Sequence, residues 1–248
     1  MSILATHGPI LDLGQLVTIA SELVARATEH GAMIWWRGHA SQQFELVPSV
    51  HRGGKDRARE VGLQLRFVTK AHTRYTKCPE NSKFAEWLFL MQHYGAPTRL
   101  LDWTESVLVA AYFACSERPS EAAHIWGLLP ANLNENQCGD SNVPLPDHRD
   151  VRHLFNIYSE QAHSGDQVYA IYPLESDFRM MLQSAVYTVH TSAAPMESLK
   201  GKLDTLIRFD IPSHGKAVIL RQLRAVGIRR STLFPDLQNL AQDLRDDH

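Results

Sequence analysis

The chain has 248 residues, of which 44% are hydrophobic, 21% charged and 8% aromatic, proportions that exclude a disordered, fibrous or disulfide-scaffold protein and point to one domain over 1–248. Lys and Arg number 25 against 27 Asp and Glu, so the formal net charge of −2 compels neither a nucleic acid nor an anionic membrane as partner. The 13 histidines are the one compositional excess and raise metal or acid/base chemistry.

Cys78, Cys115 and Cys138 lie far apart, without the paired spacing of a zinc site, and read as reduced thiols. The opening MSILATHGPILDLGQL lacks a basic segment followed by an uninterrupted apolar one, and nothing elsewhere approaches the ~20 apolar residues that span a bilayer. The expectation is a cytoplasmic protein with no membrane partner and no metal.

In chain order, the pattern predicts a helix over about Leu11–Ala27, a β-rich run Met33–Arg37, a loop with Pro48 and Gly53-Gly54, and a charged helix over Arg57–Thr76. Phe84, Trp87, Leu88 and Met91 recur at helical spacing behind Ser82, and Gly95 with Pro97 ends that helix, so QHYG sits at its C-terminus. Pro97–Thr104 then reads as a connection, with Thr104 capping a helix whose body, Val107–Ala114, is apolar all round and therefore buried. Residues 131–150, rich in Asn, Gly, Asp and Pro, read as a surface loop. Beyond it come a helix around Arg152–Gln161, strands at Gln167–Tyr172, Ala185–Val189 and Leu206–Ile211, and a short helix opened by Pro195. A helix over Lys216–Val226 is stopped by Gly227, and Pro235 opens the last one. Strands with flanking helices give an α+β class on a mostly antiparallel sheet.

Three motifs stand out: Trp36-Arg37-Gly38 followed by Leu46, Pro48, Ser49 and Arg52; Gln92–Gly95 followed by Pro97–Thr104 and Ala110–Ala114; and Arg179–Tyr187. In these the chain resembles the FRG domain family, over about Ile34–Pro235, with Ala185 where many members carry Gly. The order of the motifs is similar to that of the ADP-ribosyltransferase fold, which implies a split sheet and NAD as substrate. By that likeness Arg37 holds the dinucleotide, Gly38 lets it approach the backbone, Thr98 and Arg99 also bind it, His93, Thr104 and Tyr112 line the nicotinamide-ribose pocket, and Tyr112 or Phe113 packs against nicotinamide. Ala185 stands where such enzymes carry the Glu that stabilises the ribose cation, which leaves Asp102 first, then Gln183 or Glu86, for that role. The likeness implies transfer of ADP-ribose to a protein, a nucleic acid or water, in a bacterial toxin or phage-defence setting, with a regulatory protein partner.

Plainer roles compete for the same residues. Arg99 and Asp102 can pair to hold their loop, and Gln92 and His93 can cap the helix. Trp103 and Phe113 read as core, whereas the Tyr112 hydroxyl needs a partner if buried. His148 and His153 fall on different helix faces and read as isolated. Arg221, Arg224, Arg229 and Arg230 could meet phosphate, or form a solvated face offset by Asp236, Asp243, Asp246 and Asp247. Two other functions therefore stay open: a non-catalytic nucleotide- or protein-binding sensor, favoured by Ala185, and a metal-independent nuclease with His93 and Asp102 as acid/base pair.

Overall fold

A computed structural model describes residues 6–174, 177–199 and 205–246. Along them run β1 (Thr6–His7), α1 (Leu13–Glu29), β2 (Trp35–His39), α2 (Arg57–Ala71), α3 (Phe84–His93), β3 (Leu100–Thr104), α4 (Val107–Cys115), β4 (Ala123–Leu128) and α5 (Pro130–Cys138). There follow β5 (Val168–Ile171), α6 (Phe178–Leu182), β6 (Ala185–His190), β7 (Leu206–Ile211), α7 (Ser213–Ala225), α8 (Arg230–Leu233) and α9 (Leu237–Asp246). The strands form one sheet in the order β1-β7-β4-β2-β3-β6-β5, antiparallel except where β1 meets β7. The α+β class is as expected, but the sheet is continuous and not split. Its continuity is thin at one place, since β2 and β3 share the single pair Trp36 with Thr104 while β2 pairs with β4 along all five of its residues.

Alternation along the strands sorts the core into three groups. Trp36, Ile125, Ile207, Phe209 and Ile211 face α1, α4 and α7. On the same side but across the β2–β3 junction, Leu100, Tyr187, Val189 and Ile171 face α3 and the segment 151–157. The opposite side carries Trp35, Leu101, Trp103, Trp126 and Val168 against Leu133 of α5 and Leu46. Two separate helix groups thus cover one face of the sheet, and a trough is left between them over the weakly paired junction.

Four elements and one cap depart from the sequence reading. Residues 100–104 are strand β3 and not a connection, because Leu101 and Trp103 bury against one face while Leu100 buries against the other. Strand β4, absent from the sequence reading although the turn at Arg118-Pro119-Ser120 precedes it, has all six of its residues buried and so shows no alternation. Residues 130–138 of the expected loop form α5, with Pro130 in its first turn and Gly139, at φ 74°, as its left-handed cap. Around 152–161 there are only short 3-10 turns, at Arg152–Leu154 and Gln161–His163. The cap of α4 is Ser106, which accepts from the Val109 amide, and Thr104 instead accepts from the Ser106 amide.

Helix α4 lies unusually close to β2, and Gly38 is the reason. A Cβ at Gly38 would stand 2.0 Å from the Ala110 carbonyl oxygen and 2.5 Å from the Ala114 amide nitrogen. This glycine therefore serves helix-on-strand contact, while its backbone also lines a cavity over the β2–β3 junction. The buried Lys216 ammonium fastens the same corner by donating to the carbonyls of Ala40, Glu117, Arg118 and Glu121, at 2.9, 2.7, 2.8 and 3.3 Å.

The Gly38→Ala variant should lose about 3 kcal/mol or more through this overpacking, read as a lower midpoint of thermal unfolding. Gly62→Ala, in helix α2 with nothing within 4 Å of the added Cβ, is the control and should gain about 0.5–1 kcal/mol.

Candidate functional site

The trough holds a cavity of about 400 Å³ over the β2–β3 junction. Trp36, Asp102, Thr104, Ala185 and Tyr187 reach it from the sheet, Phe113 from α4, and Gln92 and His93 from the last turn of α3. Three guanidiniums, of Arg37, Arg52 and Arg179, share it with the carboxylates of Asp102 and Glu117.

Arg37 occupies the gap itself. Beyond the Trp36–Thr104 pair the strands separate, and the Arg37 Nη1 donates to the backbone carbonyl of Asp102, which would otherwise lack a ladder partner there. Its Nη1 also lies 3.7 Å from the Asp102 Oδ2. Burial lowers the pKa of this guanidinium from its ordinary value, and Asp102 partly opposes the shift.

Asp102 is fixed by a relay that the sequence pattern contains without announcing. The Thr98 hydroxyl donates to the Gln92 Oε1, which leaves the Gln92 amide nitrogen aimed at Asp102, and it donates to the Asp102 Oδ2 at 2.8 Å. The spacing Gln92, Thr98, Asp102 thus orients one half-exposed carboxylate in the trough. Thr98 does so from a buried position outside the cavity. His93 is oriented separately, with its Nδ1 2.9 Å from the Asp177 Oδ2. Arg179 donates to the His93 carbonyl at 3.2 Å, and its guanidinium lies 4.5 Å from the Phe234 ring centroid.

Beneath the gap lies a layer of buried histidines. The His39 ring donates from Nδ1 to the Phe44 carbonyl at 3.1 Å and accepts at Nε2 from the Arg37 Nε, also at 3.1 Å. It can do both only when neutral, and burial followed by the nearby Arg37 charge pushes its pKa down to about 3. His51 donates from Nε2 to the His190 carbonyl at 3.2 Å, and the His190 Nε2 meets the Thr188 hydroxyl at 2.7 Å. Burial is the main cause that lowers the pKa of His51, His124 and His190 as well.

The residues expected at one pocket therefore divide. Arg37, His93, Asp102, Thr104, Gln183 and the backbone of Gly38 meet in the trough. Arg99 does not: it is fully buried beside Glu60, with Nε and Nη2 donating to the two Glu60 oxygens at 2.7 Å each and Nη1 to the carbonyls of Leu154 and Ala162. Its expected pairing with Asp102 is replaced by this one, because the two side chains leave β3 and its approach in different directions. Tyr112 turns to another cavity, formed with α7, α8 and α9, while its neighbour Phe113, read as core, lines the trough. Gln183 caps α6 and is not strand-borne, and its amide nitrogen is taken by the Leu233 carbonyl at 2.9 Å. Glu86 faces Lys83 at 3.9 Å, outside the trough. His148 and His153 also lie outside it, and Asp247 lies outside the described residues. Arg52 and Arg179 were not singled out as site residues, although both stand in the quoted motifs.

Among the described residues no three His, Cys, Asp or Glu side chains are arranged to hold a metal, and no helix is long and apolar enough to cross a membrane. Residues 32–123 match the family model of the FRG domain, a shorter span than the 34–235 over which the resemblance is read. No curated protein and no solved structure matches the chain.

Two outcomes separate structural from ligand-contacting roles. Arg99→Met leaves the buried Glu60 carboxylate without its counter-charge and should cost about 3–5 kcal/mol, a large drop in thermal midpoint that a mere ligand contact would not produce. The histidine layer should make stability fall with acid. Each of these histidines has a folded pKa below its ordinary 6.5, so its contribution is complete above that value and is lost as pH falls from there toward the folded value, about 3 for His39. One fully linked histidine is worth at most about 1.4 kcal/mol per pH unit, or roughly 2–4 °C in a chain of this size. The midpoint should decline steadily from pH 7 to pH 5, and His39→Gln, which keeps an acceptor for Arg37 but cannot titrate, should make the decline shallower. A midpoint flat over that range would contradict the assignment.

Proposed function

With an FRG domain over residues 32–123 as the premise, we propose that the trough binds NAD as substrate and supports cleavage of its N-glycosidic bond, with ADP-ribose passed to a macromolecular acceptor or to water. One observation carries the reading: a half-exposed carboxylate, Asp102, is oriented by Gln92 and stands in a cavity lined by three arginines.

A dinucleotide needs its pyrophosphate neutralised, and Arg37, Arg52 and Arg179 supply planar, bidentate donors for that purpose. Phe113 and Tyr187 offer flat apolar surface to a nicotinamide or adenine ring. When the bond from the ribose anomeric carbon to nicotinamide breaks, its electron pair leaves with neutral nicotinamide and positive charge develops on the ribose. The Asp102 carboxylate stabilises that charge, the function a Glu would have served at Ala185. The acceptor lone pair then forms the new bond to the anomeric carbon, and its proton passes to His93, held in place by Asp177, or to solvent. The cytoplasm, where NAD is held, and a toxin or phage-defence role agree with this chemistry.

A second reading has its own support. Gln183 is tied to Leu233 and Ala185 carries no charge, so the trough could hold a nucleotide and signal its presence without turnover. A nuclease would use His93 and Asp102 together, but His93 is paired with Asp177 and Asp102 with Gln92, which favours separate tasks.

Purified protein incubated with NAD should release nicotinamide, and Arg37→Ala and Asp102→Asn should each lower kcat/KM by about 10²–10³, Asp102→Asn through kcat and Arg37→Ala chiefly through KM. Wild-type rates in Asp102→Asn would remove the carboxylate from the mechanism. Calorimetric NAD binding that Arg37→Ala abolishes, with no nicotinamide released, would select the sensor.

A further inference from the structure

Alternation along β2 turns Trp36 and the Cα of Gly38 toward α4, and Arg37 and His39 to the opposite face with Trp35. On β3, Asp102 and Thr104 share the first face with Leu100, while Leu101 and Trp103 belong to the second. Trp36, Asp102 and Thr104 of the first face and Arg37, His39 and Trp103 of the second nevertheless line the same cavity. The space therefore passes between the strands where β2 and β3 have parted, and it has a front beside Asp102 and a rear beside His39.

The segment that follows β2 builds the rear. The Phe44 carbonyl accepts from the His39 Nδ1 at 3.1 Å, and the two rings meet edge-on with centroids 6.0 Å apart. The Arg118 guanidinium stands over the Phe44 ring, 4.9 Å from its centroid, so the ring is held in place although it is 40% exposed and lines the cavity. Further on, the Ser49 hydroxyl accepts from the Thr98 amide and the Val50 amide donates to the Thr98 carbonyl, each at 3.3 Å. These bonds tie the segment to the approach of β3 and bring Arg52 to the cavity.

Arg37 stands in the passage between front and rear. Its Nε and Nη1 are taken by His39 and by the Asp102 carbonyl, whereas Nη2 donates to no described residue, in a side chain only 17% exposed. That donor is left for a group in the cavity. Burial is the main cause that lowers the Arg37 pKa, Asp102 opposes it, and the charge of Arg52 adds to the lowering, so two guanidiniums repel across this passage. An anion between them relieves the repulsion, and a pyrophosphate accepts from both. The nicotinamide ribose must lie at the front for the Asp102 carboxylate to act on it, which leaves the rear to the other half of the molecule. Resting on the reading of the trough as an NAD site, we infer that the dinucleotide threads the gap, with its pyrophosphate between Arg37 and Arg52 and its adenine behind the sheet against Phe44. Phe113 and Tyr187, at the front, then serve the nicotinamide ring.

The probe is 8-azido-NAD, whose photoreactive group sits on the adenine. Irradiated with the full chain, it should label residues within 39–52, and excess NAD should suppress the labelling. Labelling that NAD suppresses but that maps to α3, α4 or β6 would overturn the inference and leave NAD in the trough. Absence of any suppressible labelling would overturn the inference together with the NAD reading. Calorimetry with ADP-ribose, which carries the adenosine half without nicotinamide, adds a measurement that needs no turnover. Phe44→Ala should weaken ADP-ribose about tenfold, the loss expected for one base stacked on an aromatic ring, and Phe44→Trp should restore the affinity. The half-exposed position of the ring predicts an unchanged thermal midpoint for Phe44→Ala. Equal ADP-ribose affinity in the wild type and Phe44→Ala would overturn the inference, and the labelling of the wild type decides it if that variant does not fold.

Discussion

The bond from Arg37 to the Asp102 carbonyl is the contact on which the rest of the site depends. A sheet that runs through seven strands would leave no room for a ligand at its centre. Here β2 and β3 share one pair and then part, and a guanidinium stands in for the missing ladder bonds. An arginine suits this position because its fork can satisfy a backbone carbonyl and still present charge to a cavity. The helices follow the same division, with α1, α4 and α7 on one side and α3 on the other, so the trough is a consequence of the sheet and not a gap between loops.

A cation held in such a place needs support that does not repel it. The histidine layer provides it, because neutral imidazoles hydrogen-bond without adding charge, and His39 accepts from Arg37 directly. The nearby Arg99 is neutralised by its own partner, Glu60, and contributes anchorage for the segment at 154–162 in place of ligand contact. Two arginines near in space thus have opposite tasks, and the difference lies in whether a buried carboxylate accompanies them. Removing one charge from a buried pair strands the other, which ties Arg99 to the fold, whereas the carboxylate beside Arg37, Asp102, is half-exposed and faces the cavity.

Much of this was legible in the residues, and the failures have physical causes. Periodicity located α1, α3 and α7 because each places apolar residues at helical spacing on a buried surface, and an apolar run behind a capping signal located α4. Periodicity missed β4, since a strand buried on both faces loses the alternation that identifies strands, and β3, whose buried residues on both faces are interrupted by the exposed Asp102 and so show no alternation either. Of the site, Arg37, His93 and Asp102 were found through their motifs. Thr98, Arg99 and Tyr112 stand in or beside the same motifs, but local sequence does not say which side of a strand or helix a residue will face. The choice between Tyr112 and Phe113 illustrates the limit: both are candidates to face a ring and hydroxyl chemistry favours the tyrosine, whereas the rotation of α4 against β2 turns the phenylalanine to the trough. Gly38 shows the same limit from the other side, for local sequence reveals its small size but not that Ala110 and Ala114 of α4 are the neighbours that demand it.

The near-neutral charge acquires meaning once the arginines are located. A net charge of −2 spreads no attractive field for polyanions at distances beyond the ~10 Å over which salt screens. Arginines gathered at close range set the local charge instead, and Arg37, Arg52 and Arg179 line the trough beside Asp102 and Glu117. Helix α4 bounds that trough, apolar through its length, with Phe113 turned to it and Tyr112 to the cavity formed with α7, α8 and α9. The all-apolar composition of α4, first a sign only of burial, therefore also leaves no charged side chain of the helix itself to compete with Asp102 for the arginines of the trough.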